Sequence, residues 1–294
     1  MAFFWLLFVN GLLVGTLYAL IALGFVLIYK ATDAINFAQG ELVMIGGFIL
    51  VAVLKVAGVP LLVAILATMA AMFVLGFAVE RVMLRPLLGR PVVAVIMATI
   101  GLASVLKGFG PMVWGAETKN VPLPIREDPF LLFKIPIAPV SLLAAAVSLV
   151  FLAGFGLFFL RSRTGIAMRA VADDQPAAMA MGINVGRYFG LAWAMAGIVS
   201  AVGGVIWGNL LGVDVHLALV GFKVFPVVIL GGLDSVPGAI LGGLIIGIVE
   251  NVAAGYIDPY VGGGTKDFVP YVLMIIVLMV RPYGIFGKAI IERV

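Results

Sequence analysis

The chain has no cysteine and a single histidine, His216. Disulfides, thiolate nucleophiles, Cys/His zinc sites and haem attachment are therefore excluded. Charge is scarce as well: of 294 residues, 11% are Asp, Glu, Lys or Arg and 64% are hydrophobic. A soluble globular domain has about 45–50% apolar and about 25% charged residues. That gap, with a mean hydropathy of +1.26, is too wide for an unusual soluble core and reads as a polytopic, all-α membrane protein. No polar stretch is long enough to bury a core of its own, so 1–294 reads as one membrane domain. Catalytic patterns are missing too. Neither H-E-x-x-H nor G-x-S-x-G occurs, and paired buried aspartates suited to an intramembrane protease are absent. Without a Walker pattern, G-x-x-x-x-G-K-[ST], the chain cannot itself hydrolyse ATP. An enzyme is not expected.

What is present is long apolar runs with basic residues between them. The net charge of +4 is scattered and forms no stripe for nucleic acid, so the positive-inside rule accounts for it. The start, "MAFFWLLFVNGLLVGTLYALIALGFVLIY", lacks a basic n-region and is longer than a signal peptide's apolar core, so it reads as a retained first span. A crossing helix needs about 20 apolar residues. Good candidates are 3–29, 61–79, 92–113, 137–160, 188–210 and 235–253; weaker ones are 40–57, 217–233 and 268–280, the last carrying Pro270. The 37 glycines, as in "GGVIWG" (203–208) and "GAILGGLIIG" (238–247), predict close helix approach.

Loop charge orients the spans. Arg81, Arg85 and Arg90 have no acid among them, Arg161, Arg163, Arg169 and Arg187 mark 161–187, and Arg281, Lys288 and Arg293 mark the tail. These three segments read as cytoplasmic. The loop at 114–136 balances Lys119, Arg126 and Lys134 against Glu117, Glu127 and Asp128, and 254–267 sets Lys266 against Asp258 and Asp267. Both read as external. About nine crossings (8–10) fit, with the N-terminus outside and the C-terminus inside.

Polar features interrupt the greasy chain. "ATDAINFAQGE" (31–41) carries Asp33, Asn36, Gln39 and Glu41. It reads either as a helix break facing a water-filled pathway or as a cytoplasmic turn whose Asn36 and Glu41 cap the next helix. "VILGGLDSVPGAILGG" (228–243) predicts a hairpin of two helices, with Ser235 as N-cap and Pro237 near the helix start. Asn10, Lys107, Lys223, Glu250 and Asn251 are isolated polar residues at depth. Lys107 and Lys223 can snorkel, Glu250 can be interfacial, and His216 reads as a surface residue. In "RSRTGIAMRAVADDQPAAMAMGINVGR" (161–187), Thr164 is a fair N-cap for a helix over 165–172. Asp174 caps a second short helix over 177–181, and Gly182 ends it. That second helix is apolar, with Met179 and Met181 on an alanine background. A soluble partner's groove, the bundle's own cytoplasmic face and the lipid headgroups are the three surfaces that would cover it.

The stretches 10–48, 161–185 and "ILGGLDSVPGAILGGLIIGIVE" (229–250) resemble LivH-type permeases of ABC importers for branched-chain amino acids, over most of the chain and in the same order. The family commonly has "INFAHGE" where this chain has "INFAQGE", so Gln39 stands in a histidine's place. The resemblance implies a fold like the vitamin B12-type (type II) importer permeases with one N-terminal span fewer, in the bacterial cytoplasmic membrane. It implies a second, LivM-like permease as partner, two cytoplasmic ATPase subunits and a periplasmic binding protein. No cofactor belongs to this chain; ATP and Mg would be bound by the ATPases. It also identifies the coupling segment, with Arg169, Asp173, Asp174, Ala177, Ala178, Met179, Met181, Gly182 and Ile183 as ATPase-coupling candidates. Asn36, Gln39 and Glu41 are candidates for a mostly apolar translocation pathway. Relatives that carry urea, short amides or other small amino acids leave the substrate open. The rival class is an ion-coupled secondary transporter, which needs a midplane coupling site and internal repeats; no repeat is evident. A structural scaffold fits poorly with the polar breaks.

Overall fold

A computed structural model describes residues 2–56, 58–87, 90–121, 128–132 and 135–287. Of the residues used to orient the loops, Arg126, Glu127, Lys134, Lys288 and Arg293 lie outside these. The helices, in chain order, are α1 (Ala2–Thr32), α2 (Gln39–Leu54), α3 (Leu61–Val79), α4 (Val92–Trp114), α5 (Pro139–Arg161), α6 (Arg163–Asp173), α7 (Gln175–Ala180), α8 (Val185–Leu211), α9 (Leu219–Gly231), α10 (Val236–Val261) and α11 (Thr265–Val280). Among the described residues, six helices are long and apolar enough to cross a membrane, and they fall on the six stronger stretches of the sequence. The three weaker stretches form α2, α9 and α11, of 16, 13 and 16 residues. A further element departs from the all-α expectation. Strands Phe130–Leu132 and Ile135–Ile137 form an antiparallel hairpin, with Leu131 opposite Pro136. β-Branched Ile135 and Ile137 flanking Pro136 favour an extended chain there.

The chain folds as two compact units. The first comprises Met1–Val26, Pro124–Leu152 and Lys223–Val294. Gly11 and Gly15 of α1 lie against Gly247 and Gly243 of α10; a Cβ at either would meet the opposing carbonyl at 2.7 or 2.8 Å. Each helix thus presents a small-xxx-small pair to the other, which lets the backbones touch. Ser235 caps α10, its Oγ accepting from the Gly238 N–H at 3.1 Å, and Pro237 sits in the first turn. α10 runs to Val261, eight residues beyond the expected span, and carries Pro259 in its final turn. The connection to α11 shrinks to Gly262–Gly264, where Asp258 Oδ1 accepts from the Thr265 N–H. Residues 281–287 return to α9: the Ile285 and Phe286 N–H groups donate to the carbonyls of Leu230 and Gly231. Carbonyls at a helix end need such partners.

The second unit comprises Leu27–Leu123 and Ala153–Phe222. At its centre α2, α3 and α8 pack on one another. α2 is buried on nearly every side, as an all-round apolar helix must be. Gly46 lets it approach α8 closely, since a Cβ there would lie 2.9 Å from the Ser200 carbonyl. α4 is the opposite case, burying only Thr99, Leu106 and Gly110. A strap closes one end: Lys119 and Val213 exchange backbone hydrogen bonds, and Thr118 Oγ1 donates to Asp214 Oδ2 at 2.7 Å. Burial alone would raise the Asp214 carboxyl, but the bonds from Thr118 and the His216 N–H hold it below its ordinary value. His216 itself is exposed.

Candidate functional site

The α6–α7 segment is built by local capping. Ser162 Oγ accepts from the Gly165 N–H at 2.9 Å, so Ser162 caps α6, not Thr164. The shift has a packing cause. A Cβ at Gly165 would collide with the Phe158 and Phe159 carbonyls, so α6 must begin where that glycine meets the end of α5. α6 buries Gly165, Met168 and Val171, three residues apart and on one face. Arg169 lies back over α5, donating to the Leu160 carbonyl at 3.1 Å with its guanidinium 5.9 Å from the Phe159 ring centre. Lys30 Nζ approaches the same ring at 5.5 Å.

Asp173 ends α6 and Asp174 starts α7, its Oδ1 accepting from the Ala177 N–H at 2.9 Å. At the far end Gly182 takes φ +79°, and the Ile183 N–H reaches back to the Ala178 carbonyl at 3.0 Å. This is a Schellman-type stop, which a left-handed glycine permits. Between the caps only Ala178 is buried, while Ala177 and Ala180 are exposed and Met179 and Met181 are 57% and 83% exposed. Within the chain, then, α7 is anchored by one alanine. Its methionines point away.

Most residues of 31–41 are drawn inward instead, although Asp33 is exposed. Asp33 ends α1 in a left-handed conformation, φ 52°, its N–H donating to the Tyr29 carbonyl. Asn36 and Gln39 have no exposure. Asn36 Oδ1 accepts from the Ala38 N–H, Asn36 Nδ2 donates to Gln39 Oε1 at 3.3 Å, and Gln39 Nε2 donates to Ser200 Oγ at 3.0 Å. Thr99 on α4 completes the turn by accepting from the Phe37 N–H at 3.3 Å. No side chain caps α2. Glu41 is buried in its first turn, within electrostatic reach of Lys107.

The sequence matches, over residues 7–278, the family described as "Branched-chain amino acid transport system / permease component". This chain belongs to that family. Similar proteins include the high-affinity branched-chain amino acid transport system permease protein BraD of Pseudomonas aeruginosa, 35% identical over 97% of this chain and 96% of its own length. The LivH permease protein of Salmonella typhimurium is 32% identical over 97% of this chain and 96% of its own. A probable LivH of Methanocaldococcus jannaschii is 28% identical over 95% and 91%. Among solved structures, PsaBC from Streptococcus pneumoniae in complex with Fab shares the fold, with a TM-score of 0.50, 13% identity, and coverage of 93% of this chain and 91% of that one.

In this permease the isolated polar residues find partners that composition does not reveal. Glu250 is buried within the protein, 3% exposed, and accepts from the Tyr18 hydroxyl at 2.9 Å. Lys223 pairs with Asp267 at 3.0 Å, Lys266 donates to Asn251, and Asn10 donates to the Leu6 carbonyl of its own helix. Lys107 is exposed. Ser200, which joins the polar turn to α8, carries no sequence signal. It also bonds its own i−4 carbonyl, Ala196, as helical serines can. Among the described residues no cluster of His, Asp or Glu is disposed to hold a metal.

Proposed function

We propose that this chain is the transmembrane permease subunit of an ATP-driven importer carrying branched-chain or other hydrophobic amino acids into the bacterial cytoplasm. In this reading it crosses the membrane nine times with the N-terminus outside, in a type II importer arrangement. A LivM-like permease pairs with it, two soluble ATPase subunits bind ATP and Mg, and a periplasmic protein delivers the substrate. The observation that carries the reading is α7: capped by Asp174 and stopped at Gly182, it holds Met179 and Met181 outward. Methionine is adaptable and alanine permits close approach, which suits a groove on a soluble partner. ATP-driven closure of the ATPase pair moves α7 as a lever and rocks this subunit against the second permease. Arg169, stacked on Phe159, and Asp173 at the end of α6 hold the lever's other arm. Asn36, Gln39 and Glu41 belong to the pathway's polar wall. Asn36 is closed on Gln39 and Gln39 on Ser200 in the present conformation, and they become available to a zwitterion only when the start of α2 separates from α8. Selectivity then rests with the binding protein.

Reconstituted uptake of radiolabelled leucine is the test. It should require ATP and both soluble ATPases. Uptake by the isolated chain driven by a proton or sodium gradient would overturn the reading.

A further inference from the structure

The helix that begins as α3 continues past Val79 through a π-turn, Glu80–Leu84, and a 3-10 turn, Arg85–Leu87. The Arg85 backbone N–H donates to the Glu80 carbonyl, five residues back. In an α-helix, residues five apart point about 140° away from each other, since each step turns about 100°. A π-turn is wider, so it brings such a pair toward one side, and π-turns cluster at functional sites. Here it sets Arg85 Nε 3.5 Å from Glu80 Oε1. From the same guanidinium, Nη2 donates to the Gly186 carbonyl at 2.9 Å. Gly186 lies in the first turn of α8, two residues after Asn184, the cap that follows the α6–α7 segment.

Glu80 is 1% exposed, and its second oxygen, Oε2, has no hydrogen-bond partner. A buried carboxylate oxygen without a donor destabilises a fold, and an ion pair at 3.5 Å offsets little of that. The surroundings nevertheless make room for it. A Cβ at Gly190 would lie 3.2 Å from Oε2 and 2.8 Å from the Phe77 ring, and one at Gly186 would lie 3.1 Å from Arg85 Nη2. Further along, Gly76 abuts the Trp193 carbonyl and Gly197 the Met72 carbonyl, so α3 and α8 are in backbone contact with no slack between them. Glycines shape α8 to accept a carboxylate that stability alone does not favour.

We propose that Glu80, Arg85 and the Gly186 carbonyl form the linkage that passes movement of the α6–α7 segment to α3. Arg85 holds the start of α8, where that segment ends, and Glu80 positions Arg85 from the buried side. The unpaired Oε2 leaves the carboxylate able to change partners as the first turn of α8 moves. Glu80 is therefore a positioning residue. The inference rests on the proposed docking role of α7.

The test uses the complete importer, with its partner permease, ATPases and binding protein, reconstituted in proteoliposomes. Glu80→Gln and Arg85→Gln should retain the ATPase subunits and hydrolyse ATP, while leucine imported per ATP falls about tenfold, the scale of a typical coupling free energy. The melting temperature of Glu80→Gln should stay level or rise, because a buried charge is removed. A lower melting temperature with an unchanged leucine-to-ATP ratio would mark a merely structural pair and overturn the proposal. So would an unchanged ratio in both variants. Should either variant fail to assemble, Arg85→Lys, which keeps the charge but loses the two-armed reach, reads the same ratio. A wild-type complex that imports no leucine with ATP brings down the importer reading itself and the linkage with it, a result separable from failure of the variants alone.

Discussion

Tyr18 and Glu250 stand 232 residues apart in sequence and meet through one 2.9 Å hydrogen bond, phenol to carboxylate. An acid within a membrane-spanning helix persists only when it is paired. Here the pairing is layered. The Asn251 amide donates to the Gly247 carbonyl and its Oδ1 accepts from Lys266, while Lys223 and Lys266 both bear electrostatically on Glu250. Gly247, the glycine that lets α1 and α10 touch, sits one turn before Asn251, so backbone approach and polar pairing reinforce each other. Tyr18→Phe keeps the ring and removes the hydroxyl that donates to Glu250. It should lower the stability of the purified protein by about 1–3 kcal/mol, the cost of stranding a buried acceptor. Thermal melting in nanodiscs reads this directly. Adding Glu250→Gln to Tyr18→Phe should restore part of the loss, because a neutral amide tolerates burial better than an unpaired carboxylate. If Tyr18→Phe melts like the wild type, the pair carries no stability.

At the scale of elements, the strong spans were legible because a run of about 20 apolar residues has few alternatives in a membrane protein. α2, α9 and α11 were not, and their lengths explain why. At 1.5 Å per residue they reach about 20–24 Å against a hydrocarbon core of about 30 Å, so hydropathy alone cannot classify them. What makes α2 an element is burial from all sides by α3, α4 and α8, a tertiary fact. The α6–α7 segment divides the same way. Asp174 and Gly182 acted through local capping rules and appear where the sequence put them, whereas the choice of Ser162 over Thr164 depended on Gly165 meeting the end of α5. Likewise Asn36 and Gln39 were recognisable as unusual polar residues, but their partner Ser200, 161 residues from Gln39, was not. For α7 the proposed docking predicts a separation of effects. Met179→Lys or Met181→Lys should leave membrane insertion intact and reduce co-purification of the ATPase subunits. Asp174→Ala should weaken the helix by about 1 kcal/mol through loss of its cap and reduce uptake by a few-fold. ATPase pull-down together with leucine uptake checks both. Full retention of the ATPases by both methionine variants would remove α7 from the docking surface.

For the whole molecule, parity constrains the crossings more tightly than any single helix does. Lys30 at the end of α1 and the arginines at 81–90 are basic clusters expected on the same side. If they share a side, an even number of crossings separates them, and α2 would then cross together with α3. Between the arginines of 161–187 and Arg281 lie α8, α9, α10 and α11. With both of these groups on one side, as the positive-inside rule predicts, α9 and α11 would either both cross or both stop short. The two cases differ at defined positions. If both cross, residue 234 is cytoplasmic and residue 260 external; if neither does, the two exchange sides. Because the chain has no cysteine, Asp234→Cys and Tyr260→Cys each supply a unique thiol, and Tyr260 is 88% exposed. A membrane-impermeant maleimide applied to right-side-out vesicles should label Tyr260→Cys and spare Asp234→Cys, with the pattern inverted in inside-out vesicles. Labelling of Asp234→Cys from outside would mean that α9 and α11 are both re-entrant. The crossings would then number seven, and the termini would still lie on opposite sides.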